Sequence, residues 1–439
     1  MNGIFYIETY GCQMNKYDSE LMAGLLASKG YGQAFDMEKA DIVLINACTV
    51  RDHAEQRVFG RLGELKRFKD NNPNLIVGLC GCMAQRLGTE IFHRAPHVDL
   101  IVGPDMYRRL PELIQRLNGR PTCDVTPNTR ETYTNITPER GTRLKAWVAI
   151  MRGCDNDCSY CIVPSVRGPA RSRPLSDISH EVNRLVREGC RDVTLLGQNV
   201  NAYRHDGIGF GGVLRRLNMV DGNFRMRFTT SHPKDMSREI IDAIAEGGHI
   251  CEHIHLPLQS GSTRILKAMR RHYTAEEYVN VVRAIREAIP GVSISTDVIV
   301  GFPGETERDY EATVSMVESI KFDSAFTFRY SPRPNTDATR LDDNVPEAEK
   351  GARLEHLISV QRTITDQKNK ELVGQEVEVL VEGESRKGGG QLMGRTRTDK
   401  TVVFEGDLKL VGTCIPIRID RAKGWTLWGK RIETTTSFS

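Results

Sequence analysis

The chain has no apolar run that approaches the length of a bilayer span, which argues against a helical membrane protein. It has little excess charge. A formal +3 over 439 residues is too small to announce a nucleic-acid partner by itself. Its start, MNGIFYIETYG, lacks the basic flank and long apolar stretch of a secretory signal, so a cytoplasmic protein is expected. There is no internal repeat, and no low-complexity tract beyond the Gly388-Gly389-Gly390 turn. What is present is the composition of an ordinary soluble protein, 39% hydrophobic and 27% charged, long enough for two or three domains. Eleven cysteines in a large chain without secretory features point to metal or catalytic work rather than to disulfides.

Apolar strand-like runs alternate with amphipathic stretches through residues 1–118. IFYIETYG precedes KYDSELMAGLLASKG, where Leu21 and Leu25 repeat at helical spacing and Gly30 is a stop signal. IVLINA, LIVGL and VDLIVG each precede a further helical stretch. That rhythm predicts an open parallel α/β sheet. Residues 119–144, rich in Thr, Pro and Arg, are expected to be a linker. Residues 145–371 resume the alternation with AWVAIM, DVTLLG, RMRFTT, HIHLPL, VSISTDVIV and AFTFRY. Six strand–helix units in about 200 residues fit a partial (β/α)6 barrel, with another open sheet as the alternative. Residues 372–435 carry the short runs VEVLVEG, KTVVFEG, CIPIRID and GWTLWG, which predict a small β-barrel.

The stretch RGCDNDCSYCIVPSVRG sets Cys154, Cys158 and Cys161 within eight residues, with Gly153 before them and Asp155, Asn156 and Asp157 between. Buried core cysteines do not come in such polar company. A structural zinc site is closed by four ligands, so zinc would need a distant fourth such as Cys190 or His180. Two-cluster ferredoxin spacing uses shorter intervals. An iron–sulfur cube with three protein ligands fits best, and leaves one iron free for a substrate or cofactor. The motif follows the first strand of the expected barrel, at the end where barrel enzymes place their chemistry.

Three more cysteines, Cys12, Cys48 and Cys82, each follow a predicted strand and precede a helix. The carboxyl ends of parallel strands form the binding crevice of an open sheet, so these thiols can converge on one ion or cluster. Cys80 lies inside its apolar run and is read as structural. In the central region, polar residues recur at successive strand ends: Gln198 and Asn199, Ser231 and His232, Gln259 and Ser260, and Asp297. One such residue is ordinary turn chemistry; their repetition favours cofactor contacts, assigned to Gln198, Ser231, Gln259 and Asp297. Arg167, Arg171 and Arg173 follow the three-cysteine motif and are candidate phosphate contacts. In the tail, Arg395, Arg397 and Lys400 are candidate RNA contacts on one face of the β-module, with Trp425 or Trp428 available for base stacking.

The spacing C-x3-C-x-aromatic-C, with Tyr160 as the aromatic, resembles the radical S-adenosylmethionine enzymes. That resemblance implies a [4Fe-4S] cluster on Cys154, Cys158 and Cys161, S-adenosyl-L-methionine on its open iron, and Tyr160 beside the adenine. The whole layout resembles the radical methylthiotransferases. GCQMN, GCMAQ, HLPLQSGS, STDVIVGFPGET and YSPRPNT are similar to the branch acting on isopentenyl-adenosine in tRNA, the MiaB type. NACTVRD, with Ala before Cys48, and Ser165 in IVPSVRG depart from that branch. The resemblance implies a second [4Fe-4S] cluster on Cys12, Cys48 and Cys82, and a C-terminal TRAM module that binds RNA. It further implies a tRNA substrate and an electron donor such as flavodoxin or ferredoxin; a monomer away from membranes is the default expectation. Chemistry then lies on the two clusters, with no acid or base residue. Alternatives are the same reaction on threonylcarbamoyl-adenosine or a ribosomal-protein aspartate, and an RNA-binding scaffold with structural metal sites.

Overall fold

The computed structural model describes residues 2–49, 52–385 and 388–432. The chain divides into two compact units. The first comprises Met1–Asp157, Cys161–Arg184 and Leu195–Gly207; the second comprises Cys158–Tyr160, Leu185–Thr194 and Ile208–Ser439.

The first unit is built on a parallel sheet of strands β1 (Ile4–Tyr10), β2 (Gly32–Gln33), β3 (Ile42–Ala47), β4 (Ile76–Cys80), β5 (Leu100–Val102) and β6 (Thr122–Asp124), in the order β2-β1-β3-β4-β5-β6. Strand β3 is buried along its whole length, and its alternate residues serve two cores. Ile42 and Leu44 join Leu21, Met22 and Leu25 of helix α1 (Gln13–Ala27) on one face. Val43 and Ile45 join Val58, Leu62 and Leu65 of helix α2 (Asp52–Asn71) on the other. Side chains alternate across a strand, so a strand covered on both faces reads as a continuous apolar run.

The expected linker is more than a tether. Its Thr122–Asp124 stretch supplies β6, and Tyr133 is fully buried against the α1 core. Gly24 of α1 admits this segment closely, since a Cβ there would fall 2.0 Å from the Thr137 carbonyl oxygen. Strand Lys145–Ala149 also belongs to this unit; Trp147 and Ala149 pack on Met14 and Tyr17.

In the second unit, strands His253–His255, Ser293–Val300 and Ser324–Arg329 run parallel in that order. The Ala275–Ala288 and Glu307–Ile320 helices begin with capping boxes on Thr274/Glu277 and Thr306/Asp309. Each box satisfies two amide donors that a helix start would leave open. Helix Glu347–Lys370 then leads into a closed five-stranded barrel around Val379, Leu392, Phe404, Ile417 and Leu427. The fold class is therefore as expected: mixed α/β with a terminal β-barrel. One of its strands, Gln391–Thr396, was not anticipated. It carries Gly394, where a Cβ would meet the Leu380 carbonyl oxygen at 2.2 Å, so glycine permits the close crossing while weakening the strand signal. Among the described residues, no helix is long and apolar enough to cross a membrane.

Candidate functional site

Strands β1, β3 and β4 are neighbours, so the turns at their carboxyl ends adjoin. Cys12 is the N-cap of α1, Cys48 follows β3, and Cys82 opens helix α3 (Cys82–Leu87). Two glycines let the turns press together. A Cβ on Gly11 would lie 2.7 Å from the Cys48 Cβ; one on Gly81, at φ +94°, would strike Asn46 Oδ1 at 2.4 Å. The Cys48 thiol is hydrogen-bonded to both Cys12 and Cys82. Those bonds pull the Cys12 thiol down to about 6 and lower Cys82, while they raise Cys48. Burial opposes the two lowered thiols, and the Arg167 cation assists them.

Among the described residues, no group of three or more His, Cys, Asp or Glu side chains is arranged, as it stands, to hold a metal ion. The fit to a cluster accordingly rests on donor chemistry. Thiolates are the metal-binding form of cysteine, and two of these thiols favour it.

Arg167 ends the Val163–Arg167 helix and donates from Nε to Cys82 Sγ at 3.0 Å. Its Nη1 pairs with Asp18 at 2.7 Å, and the other Asp18 oxygen pairs with Arg152 Nη2 at 2.6 Å. Arg152 also lies over the Tyr133 ring, 4.5 Å from its centroid. One buried carboxylate thus links the arginine on the thiol triad to an arginine two residues before Cys154. Neither Asp18 nor Arg152 was anticipated. The available signal was an acid on the apolar face of α1, at helical spacing from Met14, Leu21 and Met22.

Arg171 pairs with Asp105 at 2.9 Å, and Arg173 pairs with Asp177 at 2.5 Å and Glu181 at 2.8 Å. Arg167, Arg171 and Arg173 are all buried. Each guanidinium, expected to contact phosphate, faces at least one carboxylate inside the unit.

At the motif itself, Gly153 adopts φ +75°, with the Pro169 carbonyl oxygen 1.9 Å from where a Cβ would sit. Its N–H donates to Gln198 Oε1 at 2.5 Å, so this Gln198 oxygen buttresses the turn before Cys154. The Cys154 amide donates to the Gly168 carbonyl at 3.1 Å. Cys154 and Cys161 fall in the first unit, and Cys158 and Tyr160 in the second. There, Ser159 is held on three sides. Its Oγ and N–H donate to Ala268 and Met269 carbonyls at 2.8 and 3.0 Å, and its own carbonyl accepts from Ala338 at 2.7 Å. Tyr160 packs beside Ile265, Met269 and Phe302. Arg271, also not anticipated, reaches both Cys158 Sγ and Tyr160 Oη from Nη1, each at 3.4 Å.

Elsewhere in the second unit, Gln259 takes φ +70° and donates its N–H to the Asp297 carbonyl at 2.8 Å. The Asp297 carboxylate lies 3.3 Å from His255 Nε2. Gln259 and Asp297 are thereby brought together. Ser231 is buried, and its Oγ has no hydrogen-bond partner among the described residues. His232 Nδ1 accepts from the Lys234 N–H at 3.3 Å. Burial, helped by the Arg271 charge, pushes His232 down to about 2.

In the terminal barrel, Arg397 pairs with Glu252 at 2.7 Å, Lys400 with Asp323 at 2.9 Å and Arg395 with Asp399 at 2.9 Å. These three, expected on an RNA face, each make an ion pair within the unit. From the other side, Arg225 donates to the Arg395 carbonyl, and Arg227 donates to the Thr396 and Arg397 carbonyls at 2.8 and 2.9 Å. The hairpin of Cys414–Lys423 and Thr426–Arg431 carries the exposed Arg418, Lys423, Trp425 and Lys430. Arg421 lies over Trp428, 4.3 Å from its centroid.

Residues 4–103 match the uncharacterized protein family UPF0004, residues 148–317 the radical SAM superfamily, and residues 370–432 the TRAM domain. A tRNA-2-methylthio-N(6)-dimethylallyladenosine synthase of Natranaerobius thermophilus is 44% identical over 98% of this chain and 97% of its own length. One of Moorella thermoacetica is 46% identical over 98% of both chains. Among solved structures, the radical S-adenosylmethionine methyltransferase TsrM of Kitasatospora setae matches 77% of each chain with a TM-score of 0.59 at 16% identity, a likeness of fold. Near-complete coverage at this identity, with the three domains in order, means that the chain belongs to the family of the tRNA-2-methylthio-N(6)-dimethylallyladenosine synthases.

Proposed function

We propose that this chain is a radical S-adenosylmethionine methylthiotransferase that converts isopentenyl-adenosine beside the tRNA anticodon to its 2-methylthio derivative. The observation that carries the reading is full-length similarity to synthases of that name. When bound, two [4Fe-4S] clusters and S-adenosyl-L-methionine supply the radical, the sulfur and, from a second cofactor molecule, the methyl group.

The chain's own part is to hold and shield these groups. Cys154, Cys158 and Cys161 hold the first cluster, and Cys12, Cys48 and Cys82 the second. The close approach of the latter three thiols, with a buried arginine donating to one of them, supports that assignment. Ser231, with a buried hydroxyl free to donate, and Tyr160, Gln259 and Asp297 orient the cofactor. Gln198, whose Oε1 accepts the Gly153 amide, keeps the motif turn in shape and acts on the cofactor through it. For tRNA, the exposed hairpin with Trp425, Lys423, Arg418 and the Arg421–Trp428 stack offers cations and an aromatic face together, the combination that grips single-stranded nucleic acid. Electrons come from flavodoxin or ferredoxin, to a monomer in the cytoplasm.

The test is anaerobic purification, an iron and sulfide count, and incubation with reductant, S-adenosylmethionine and isopentenylated tRNA. About eight irons, 5′-deoxyadenosine and a methylthio-adenosine product are expected for two cubes. Cofactor cleavage without tRNA product moves the substrate elsewhere, and zinc in place of iron overturns the reading.

A further inference from the structure

Eight arginines are buried among the described residues: Arg152, Arg167, Arg171, Arg173, Arg225, Arg227, Arg271 and Arg353. Seven have a carboxylate within 4 Å. Arg271 is the exception. Its Nε meets Tyr273 Oη at 3.2 Å, its Nη2 meets the Pro257 carbonyl at 3.3 Å, and its Nη1 meets Cys158 Sγ and Tyr160 Oη. None of these four partners is a carboxylate: two are phenols, one is a carbonyl and one is a thiol.

A guanidinium stays charged at every working pH. Burying it without a counter-charge is costly, which is why the other seven have one. The anion that balances Arg271 must therefore come with whatever occupies this place. Among its four neighbours, the one that becomes an anion on binding iron is the Cys158 sulfur, 3.4 Å from Nη1.

We propose that Arg271 is a positioning residue that supplies the counter-charge to the cluster held through Cys158, keeping that cluster easier to reduce. The inference rests on the assignment of Cys154, Cys158 and Cys161 under Proposed function. When one electron from a reductant enters the cube, its net negative charge grows by one. A fixed, buried cation beside a buried ligating sulfur favours that more negative state. The fork also holds Tyr160, so the same side chain fixes two residues of the motif.

The experiment uses the full chain with Cys12, Cys48 and Cys82 all replaced by Ala, so that the motif cluster is the one loaded. Iron content and the dithionite reduction midpoint, followed by electron paramagnetic resonance, are compared for Arg271, Arg271→Gln and Arg271→Lys. The expected result is unchanged iron, a midpoint moved to more negative potential in the Gln variant, and a Lys variant that stays near the parent. Iron lost from Gln but kept by Lys reports the same charge through occupancy. A Gln midpoint equal to the parent's, a Lys shift as large as that of Gln, or iron lost from both variants overturns the proposal. A parent that binds no iron at all overturns the cluster assignment first and this inference with it, which separates the two failures.

Discussion

The carboxylate of Asp18 lies 2.7 Å from the Arg167 guanidinium, with neither group open to solvent. Because the same carboxylate also holds Arg152, one acid balances two buried cations. Replacing Asp18 by Asn leaves both cations uncompensated. The expected cost is about 3–5 kcal/mol, the range for breaking a buried pair. Urea unfolding of the metal-free protein measures it, and a loss below about 1 kcal/mol would mean that water reaches the pair.

The two thiol sets are expected to be separable. Cys82→Ala should reduce the iron count from about eight to about four and abolish the methylthio product, while 5′-deoxyadenosine still forms. Cys158→Ala should abolish both. Iron assay and chromatography of the cofactor fragments read the difference.

His232 gives the stability a pH dependence. Its folded value, about 2, lies below the ordinary 6.5, so the unfolded chain binds the extra proton between those limits. Stability is then complete above pH 6.5 and falls as the pH drops below it, by about 1.4 kcal/mol per pH unit for a fully neutral buried imidazole. Comparing urea midpoints of the parent and His232→Asn at pH 7.5 and 5.5 isolates this term. Parallel losses in the two proteins would show that His232 is charged in the fold.

Trp425 is half exposed on the terminal hairpin. Trp425→Ala is expected to weaken tRNA binding by about 1–3 kcal/mol, the range for one stacked base, and to leave cofactor cleavage without tRNA unchanged. Arg397→Ala removes the Glu252 pair instead. Its effect should appear in thermal unfolding of the barrel rather than in the salt dependence of tRNA binding.

Much of this architecture is written locally. The β3 run, the α1 periodicity and the glycines beside Cys12 and Cys82 are properties of short windows, and so are the cysteine positions they create. The partners of the arginines are not. Arg152 and Asp18 are 134 residues apart in the chain, and Arg225 finds its carbonyl 170 residues away. A basic run such as RGPARSRP looks the same whether its counter-charge is a phosphate or a distant carboxylate, so nothing in the run itself shows that Arg167, Arg171 and Arg173 are buried. Arg271 was passed over for the related reason that nothing adjacent in sequence marks it as buried.

Arg225 and Arg227 hold the terminal barrel through the carbonyls of residues 395–397, beside the Arg225–Glu378 and Arg397–Glu252 ion pairs. Every amino acid offers the same carbonyl. The seat thus specifies a backbone path and leaves much of the side-chain alphabet along it unread. A lineage could rewrite the barrel's outward face, residue by residue, and keep these carbonyl contacts as long as the ion-paired positions are left alone.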